Sequence, residues 1–236
     1  LEIQNTAAAA IQIALQAAKI NPIDSLNWSN LGNVYERLIF VAAGADSFVE
    51  ENYQKAMALN PNNPNEPVNL ARSFLVAADL IGEKDVSLRQ EKLNKAKNYL
   101  EKSISLKADY APAHFLLAAV AMREGKIKEV IQKLEITKQL APFDASLNFQ
   151  LGVIYYQDNQ LDKAKLEFQR AVGNNPSHSN TRYFLGLIYD QLGNKTGALD
   201  QFKRVAELNP DNAEVKKIIE NLQNSLPALY GIVPPN

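Results

Sequence analysis

The chain repeats itself at a fixed interval of about 34 residues, and that period constrains its fold more than any other feature. Pro142, Pro176 and Pro210 stand at equal spacing, and once they are aligned other columns fall into place. Leu117, Leu151 and Leu185 share one column, and Ala118, Gly152 and Gly186 share the next. Val130 aligns with Ala164 and Ala198, Leu134 with Phe168 and Phe202, and Ala121 with Tyr155 and Tyr189. Three consecutive units therefore occupy 111–144, 145–178 and 179–212. Two stretched units precede them. Trp28, Leu31, Gly32 and Tyr35 open the unit at 25–63, and Tyr53, Ala56 and Pro61 close it. Gly32 lies five positions farther from Pro61 than Gly152 does from Pro176, so this unit carries an insertion of five. Leu70, Ala71 and Phe74 open the unit at 64–110, and Leu100, Ser103 and Ala108 close it, with an insertion of 13.

Inside a unit, apolar residues recur at helical spacing in two blocks. Phe149, Leu151, Tyr155 and Tyr156 form one block, and Leu161, Ala164, Phe168 and Ala171 the other. Asp158-Asn159 divides them, and Gly125 and Gly193 hold the same place in neighbouring units. Gly and Asn tolerate the left-handed conformation that ends a helix. Small residues (Gly152, Ala164, Ala171) mark where two backbones approach closely. One hairpin cannot bury its own apolar face, so hairpins must stack. The expectation is an all-α solenoid of helix pairs, forming one domain. The insertions read as elongated first helices, with Ser47-Phe-Val-Glu50 and Ser87-Leu-Arg-Gln90 as capping boxes of the helices that follow.

The ends differ in kind. Residues 1–24 read as the second helix of an incomplete repeat. Residues 213–225 read as a capping helix, with Val215, Ile218, Ile219 and Leu222 inward and Lys216, Lys217, Glu220 and Asn221 outward. Residues 226–236 read as an extended tail, whose Leu226, Leu229, Tyr230, Ile232 and Val233 make it a candidate groove ligand. Its target is its own chain or a second molecule, the latter giving weak self-association; the alternative is a frayed terminus or a tail packed against the capping helix.

Composition closes off several functions. Lys and Arg total 25 against 26 Asp and Glu, which argues against nucleic acid as a partner. Zero Cys excludes disulfides, thiolate metal sites and a cysteine nucleophile, and His114 and His178 lie too far apart for one relay. His114 reads as a packed histidine and His178 as a solvated turn residue. No zinc, phosphate-loop or nucleophile-elbow motif is present, and carboxylates such as Glu129 and Glu167 read as exterior. No catalytic residue, metal ligand or cofactor is expected. No apolar run approaches the ~20 residues of a membrane span, so no membrane insertion is expected of this chain.

Trp28-Ser-Asn-Leu31-Gly32-Asn-Val-Tyr35, followed by Tyr53, Ala56 and Pro61, resembles the tetratricopeptide repeat (TPR), and the five units in phase over 25–212 share its length. Pro67, His114, Asn148 and Arg182 depart from its tryptophan, and Ala108 from its terminal proline. The resemblance implies a right-handed α-solenoid of antiparallel helix pairs and a non-catalytic scaffold for protein–protein interaction. It also implies a concave groove lined by first helices at the fifth, ninth, twelfth and thirteenth positions of each repeat. Carried over by column, the peptide-groove residues are Asn33, Arg72, Phe115, Met122, Phe149, Val153, Tyr156, Tyr183, Leu187 and Asp190. The aromatic members could equally be consensus residues packing between helices. The expected partner is a protein or peptide with apolar or aromatic segments. Chaperone-binding members of the family clamp a C-terminal carboxylate with Lys and Arg, but Ser29, Pro112 and Leu116 stand at those places here. Without cations that clamp is absent.

A second resemblance rests on Asn21-Pro22, the Trp28–Tyr35 segment, Gly44-Ala45 and Leu59-Asn-Pro-Asn-Asn-Pro64. These are similar to the repeat tail of bacterial O-antigen ligase or polymerase-like membrane proteins. That likeness implies a soluble accessory domain of a glycan-handling enzyme, tethered to a membrane through a region before Leu1.

Overall fold

The computed structural model describes residues 2–40 and 44–232, with side chains from Thr6 onward. Its described residues form twelve helices and no strand. They divide into two compact units, Leu1–Lys126 and Ile127–Asn236, so the expected repeat at 111–144 has one helix in each.

The first unit contains α1 (Glu2–Ile20), α2 (Ser25–Glu36), α3 (Ala45–Leu59), α4 (Asn65–Ile81), α5 (Val86–Leu106) and α6 (Ala111–Arg123). α2 pairs with α3 and α4 with α5, while α3 against α4 and α5 against α6 carry the stack onward. Tyr53, Leu70, Leu93 and Leu100 are fully buried at its centre. The second unit contains α7 (Ile127–Leu140), α8 (Ala145–Gln157), α9 (Leu161–Asn174), α10 (Ser179–Gln191), α11 (Lys195–Leu208) and α12 (Ala213–Gln223). Here α8 pairs with α9 and α10 with α11, and α12 closes on α11.

The turns follow from their sequence. Gly125, Asn159 and Gly193 all take positive φ. Immediately after each, an N–H reaches back across the turn: Lys126 to the Ala121 carbonyl (2.9 Å), Gln160 to Tyr155 (2.8 Å) and Asn194 to Tyr189 (2.7 Å). α12 ends the same way, with Ser225 at φ 63° and Leu226 N–H on the Asn221 carbonyl.

The glycine column has a different cause from the one expected. Gly152 does not admit a neighbouring backbone; it faces an aromatic ring. A Cβ there would stand 2.6 Å from Phe168 Cε1, and at Gly186 2.7 Å from Phe202 Cε2. Each ring comes from the second helix of the same pair and is fully buried.

The insertions also fold differently from expectation. α4 is long, but α2 ends at Glu36 and a turn follows over 37–40; residues 41–43 lie outside the described residues. Neither capping box forms. Asp85 caps α5 by accepting from Leu88 N–H at 2.9 Å, and Gly44 opens α3 in the left-handed region. Ser47 sits inside α3 and donates to the Gly44 carbonyl. An aspartate two positions earlier out-competes Ser87 because its charged oxygen is the stronger acceptor at a helix start.

In the column that the family fills with tryptophan, three of the five residues share one stereochemical task, while Pro67 has no side-chain donor. Trp28 Nε1 donates to the Pro22 carbonyl (2.8 Å), His114 Nε2 to Ala108 (2.8 Å) and Arg182 Nε to Pro176 (2.7 Å), at the same offset back along the chain each time. Three unlike side chains thus satisfy the same carbonyl. Asn148 is too short to do so. Its amide Nδ2 and Oδ1 are buried without a partner, the residue being 1 % exposed. Glu167 is not exterior as expected. It is buried, accepting from Lys138 (3.1 Å) and Arg170 (2.6 Å) through Oε1, while Oε2 is unpaired.

Candidate functional site

In the first unit the proposed groove positions are polar toward its N-terminal helices. Asn33 is exposed on α2 and accepts from Arg37 Nε at 3.1 Å. Arg72 on α4 is exposed, with Nη1 4.0 Å from Glu36 Oε1. Glu36 also accepts the Tyr53 hydroxyl at 2.9 Å, and burial together with that carboxylate pushes the Tyr53 phenol far above its usual value. On α6 the character changes. Phe115 is half-buried, and Met122 is 45 % exposed while Ala118 and Ala121 on the same helix are buried.

In the second unit the aromatic residues form a packed cluster. Phe149 on α8 lies against Phe168, Phe184 and His178, with ring centroids 4.9–6.0 Å apart. His178 is therefore not a free turn residue. It caps α10 through the Thr181 N–H and packs edge-on against Phe149. Tyr183 packs against Phe202 and Phe184 and donates to Glu214 Oε1 at 2.5 Å; burial and that carboxylate raise its phenol pKa. Phe149 and Tyr183 thus pack between helices. Val153 and Tyr156 are half-buried on α8; the Tyr156 ring packs edge-on against Phe184 (5.7 Å between centroids) and its hydroxyl accepts from Gln191 of α10 at 3.0 Å.

Leu187 and Asp190, the corresponding positions of α10, are covered. Leu187 is buried in the same apolar cluster as Ala228 and Ile232. Asp190 Oδ1 pairs with Lys195 at 2.5 Å, and Oδ2 accepts the Ala228 N–H at 2.7 Å. The covering segment is the tail, which is turned rather than extended over 226–232. Tyr230 N–H bonds back to Pro227 and Ile232 N–H to Leu229. Val233 and the residues after it lie outside the described residues. Asn221, expected to face outward, is buried and donates to the Ala228 (3.0 Å) and Tyr230 (2.8 Å) carbonyls.

The sequence reading missed Lys195, Asn221 and Phe184. Asn221 carried a signal, since it follows Ile218 by three positions and precedes Leu222 on the apolar face of α12. Lys195 carried none. Among the described residues no three His, Asp or Glu side chains gather as a metal site would, and no helix is long and apolar enough to cross a membrane.

Two tetratricopeptide models match the chain, one over residues 149–213 and one over 85–110. Those residues are tetratricopeptide repeats. No curated protein matches the chain. Solved structures do. YrrB, a TPR protein with an unusual peptide-binding site, is 20 % identical with a TM-score of 0.59, the match covering 86 % of this chain and 95 % of that one. A MamA protein is 20 % identical with a TM-score of 0.61, covering 80 % and 94 %. MamA from Desulfovibrio magneticus RS-1 is likewise 20 % identical, at 0.58, covering 77 % and 94 %. At this identity the likeness establishes the fold, an all-α helical repeat. TPR repeats are generally non-catalytic interaction scaffolds. Nothing in these comparisons supports the likeness to the repeat tails of glycan-handling membrane proteins.

Proposed function

We propose that this protein is a non-catalytic interaction scaffold that holds an extended, apolar peptide or partner segment on its first helices. The observation that carries the reading is the partly accessible apolar pair Val153 and Tyr156 on α8. They stay open to solvent while Leu147, Leu151, Ile154 and Tyr155 on the same helix are buried. In the other unit Met122 offers the same kind of surface at the column of Tyr156, and a thioether adapts its shape to varied partners. Tyrosine supplies a broad apolar face at small rotamer cost. The missing carboxylate-clamp cations argue against a charged terminus as ligand. YrrB, of the same fold, has a peptide-binding site by its own description.

A peptide display screen against the whole chain tests this. Hydrophobic and aromatic sequences should be enriched. Tyr156→Ala and Val153→Asp should weaken a selected peptide at least tenfold in fluorescence anisotropy in chains that stay folded by circular dichroism, the first also losing the edge contact of Tyr156 with Phe184. Phe149 is unsuitable for this purpose, because its ring supports three others. Selection of acidic C-terminal peptides, or indifference to both substitutions, would overturn the reading.

A further inference from the structure

The columns open on α8 (Val153 and Tyr156) are closed on α10, where Leu187 and Asp190 lie beneath the chain's own C-terminal segment. What holds that segment is a set of contacts to its backbone. Asp190 Oδ2 accepts the Ala228 N–H (2.7 Å), Lys195 Nζ donates to the Leu226 carbonyl (2.9 Å), and Asn221 Nδ2 donates to the Ala228 and Tyr230 carbonyls (3.0 and 2.8 Å). Among the described tail residues, Ala228 is wholly and Ile232 partly buried in the apolar cluster of the site. Leu229 and Tyr230 point outward, 44 % and 59 % exposed.

Three features separate this from a terminus packed at random. The tethers come from three different helices, α10, α11 and α12. Asn221 is buried on α12 and finds both its acceptors in the tail. Asp190 is held in place by Lys195 at 2.5 Å, so the carboxylate is aimed before the tail arrives and loses little freedom on binding it. Because recognition runs through N–H and C=O groups with room for one small apolar side chain, it specifies backbone conformation more than sequence.

We infer that α10–α12 form a peptide-backbone clamp, and that residues 226–232 are its resident ligand. The clamp continues the surface proposed above from α8 onto α10, and the inference rests on that reading. A partner segment that runs along α8 therefore meets the tail at Asp190 and must displace it to extend further. The tail is an intramolecular competitor. Being tethered just beyond α12, it acts at an effective concentration in the millimolar range for a short flexible linker, which disfavours weak ligands and admits strong ones.

The test uses a fluorescein-labelled synthetic peptide of residues 225–236 as probe, titrated against the full chain and against a chain ending at Asn224. Saturable binding to the truncated chain, at least tenfold tighter than to the full chain, is expected. Asp190→Ala in the truncated chain should abolish it. Tyr156→Ala, which tests the α8 surface, should leave it unchanged, so the two readings fail separately. Equal binding to both chains, no saturable binding to a folded truncated chain, or loss on Tyr156→Ala would overturn the inference. If the truncated chain does not fold, hydrogen exchange on the full chain decides. Asp190→Ala should then remove protection at the Ala228 amide while α10 and α11 stay protected, and unchanged protection would refute the clamp.

Discussion

The same substitution at two equivalent positions should change stability in opposite directions. Asn148 and Arg182 stand one repeat apart and occupy one column, as do Glu167 and Gln201. Arg182 donates to the Pro176 carbonyl at 2.7 Å and to Gln201 Oε1 at 3.0 Å. Asn148 donates to nothing and is buried. A buried polar group without a partner costs about 1–3 kcal/mol, and a hydrogen bond made contributes about 0.5–1.5 kcal/mol. Asn148→Leu keeps the branching and heavy-atom count of the side chain, adds the bulk of two methyl groups and removes two orphaned atoms. It should therefore stabilise by about 1–2 kcal/mol, the lower part of the range for an orphaned group, because the branched leucine must still find a rotamer. Arg182→Leu removes two hydrogen bonds, one of them at an exposed carbonyl that water can satisfy, and should destabilise by about 0.5–1.5 kcal/mol. For a chain of this size each kcal/mol shifts Tm by about 2–4 °C. Urea unfolding of the two variants beside the parent measures both, provided the m-values agree. Asn148→Leu that destabilises as much as Arg182→Leu would refute the accounting, since the amide would then be bonded in solution.

Gly152→Ala should destabilise by about 1–3 kcal/mol, because its Cβ would stand 2.6 Å from the Phe168 ring. Phe168→Leu should recover part of that loss in the double variant, a coupling that a denaturant cycle reads directly. Leu151→Ala should cost about 2–5 kcal/mol through the cavity left at a fully buried site, measured in the same way. Burial and a carboxylate partner raise the phenols of Tyr53, Tyr155 and Tyr183 above the ordinary value near 10. Above about pH 10 the unfolded chain releases protons that these folded phenols retain, so stability is full below pH 10 and falls as pH rises. Tm measured between pH 8 and 11 should fall less steeply for Tyr155→Phe and Tyr183→Phe than for the parent, and parallel curves would contradict the assignment.

What the period made legible was whatever depends on spacing. The two helical blocks, their turns at Gly125, Asn159 and Gly193, and the columns of core residues all follow from the recurrence and its apolar pattern. What remained hidden depends on which of two competent groups wins a local contest. Ser87 and Asp85 can both cap α5, and a small difference in starting position separates them. Glu167 looked exterior because charged residues usually are, yet Lys138 and Arg170 make its burial tolerable. The groove residues were legible as columns, but their accessibility was not. Periodicity places Leu187 and Asp190 beside Val153 and Tyr156, and only the path of residues 226–232, which repeats nothing, determines that one pair is covered.

Shared geometry with unlike chemistry also explains where such a chain can carry function. The carbonyls six residues before Trp28, His114 and Arg182 take their donors from an indole, an imidazole and a guanidinium in turn. A fold whose internal requirements are this tolerant of side-chain identity leaves few positions fixed by stability: the ring-facing glycines, the buried leucines and the turn residues with positive φ. The ninth and twelfth columns escape much of that constraint, although Leu75 and Leu187 are buried in the core. Across the repeats they hold Asn33, Arg72, Ala119, Val153 and Leu187, and Glu36, Leu75, Met122, Tyr156 and Asp190, with no shared polarity or size. Variation of that breadth in columns flanked by well-kept core columns is what a surface shaped for a partner would show. It gives each unit its own character, with charged and amide groups on α2 and α4 and apolar groups on α8. Substitutions at the accessible members of these columns, such as Asn33, Arg72, Met122 and Val153, should therefore alter binding far more than melting temperature, the reverse of substitutions at Leu151 or Gly152.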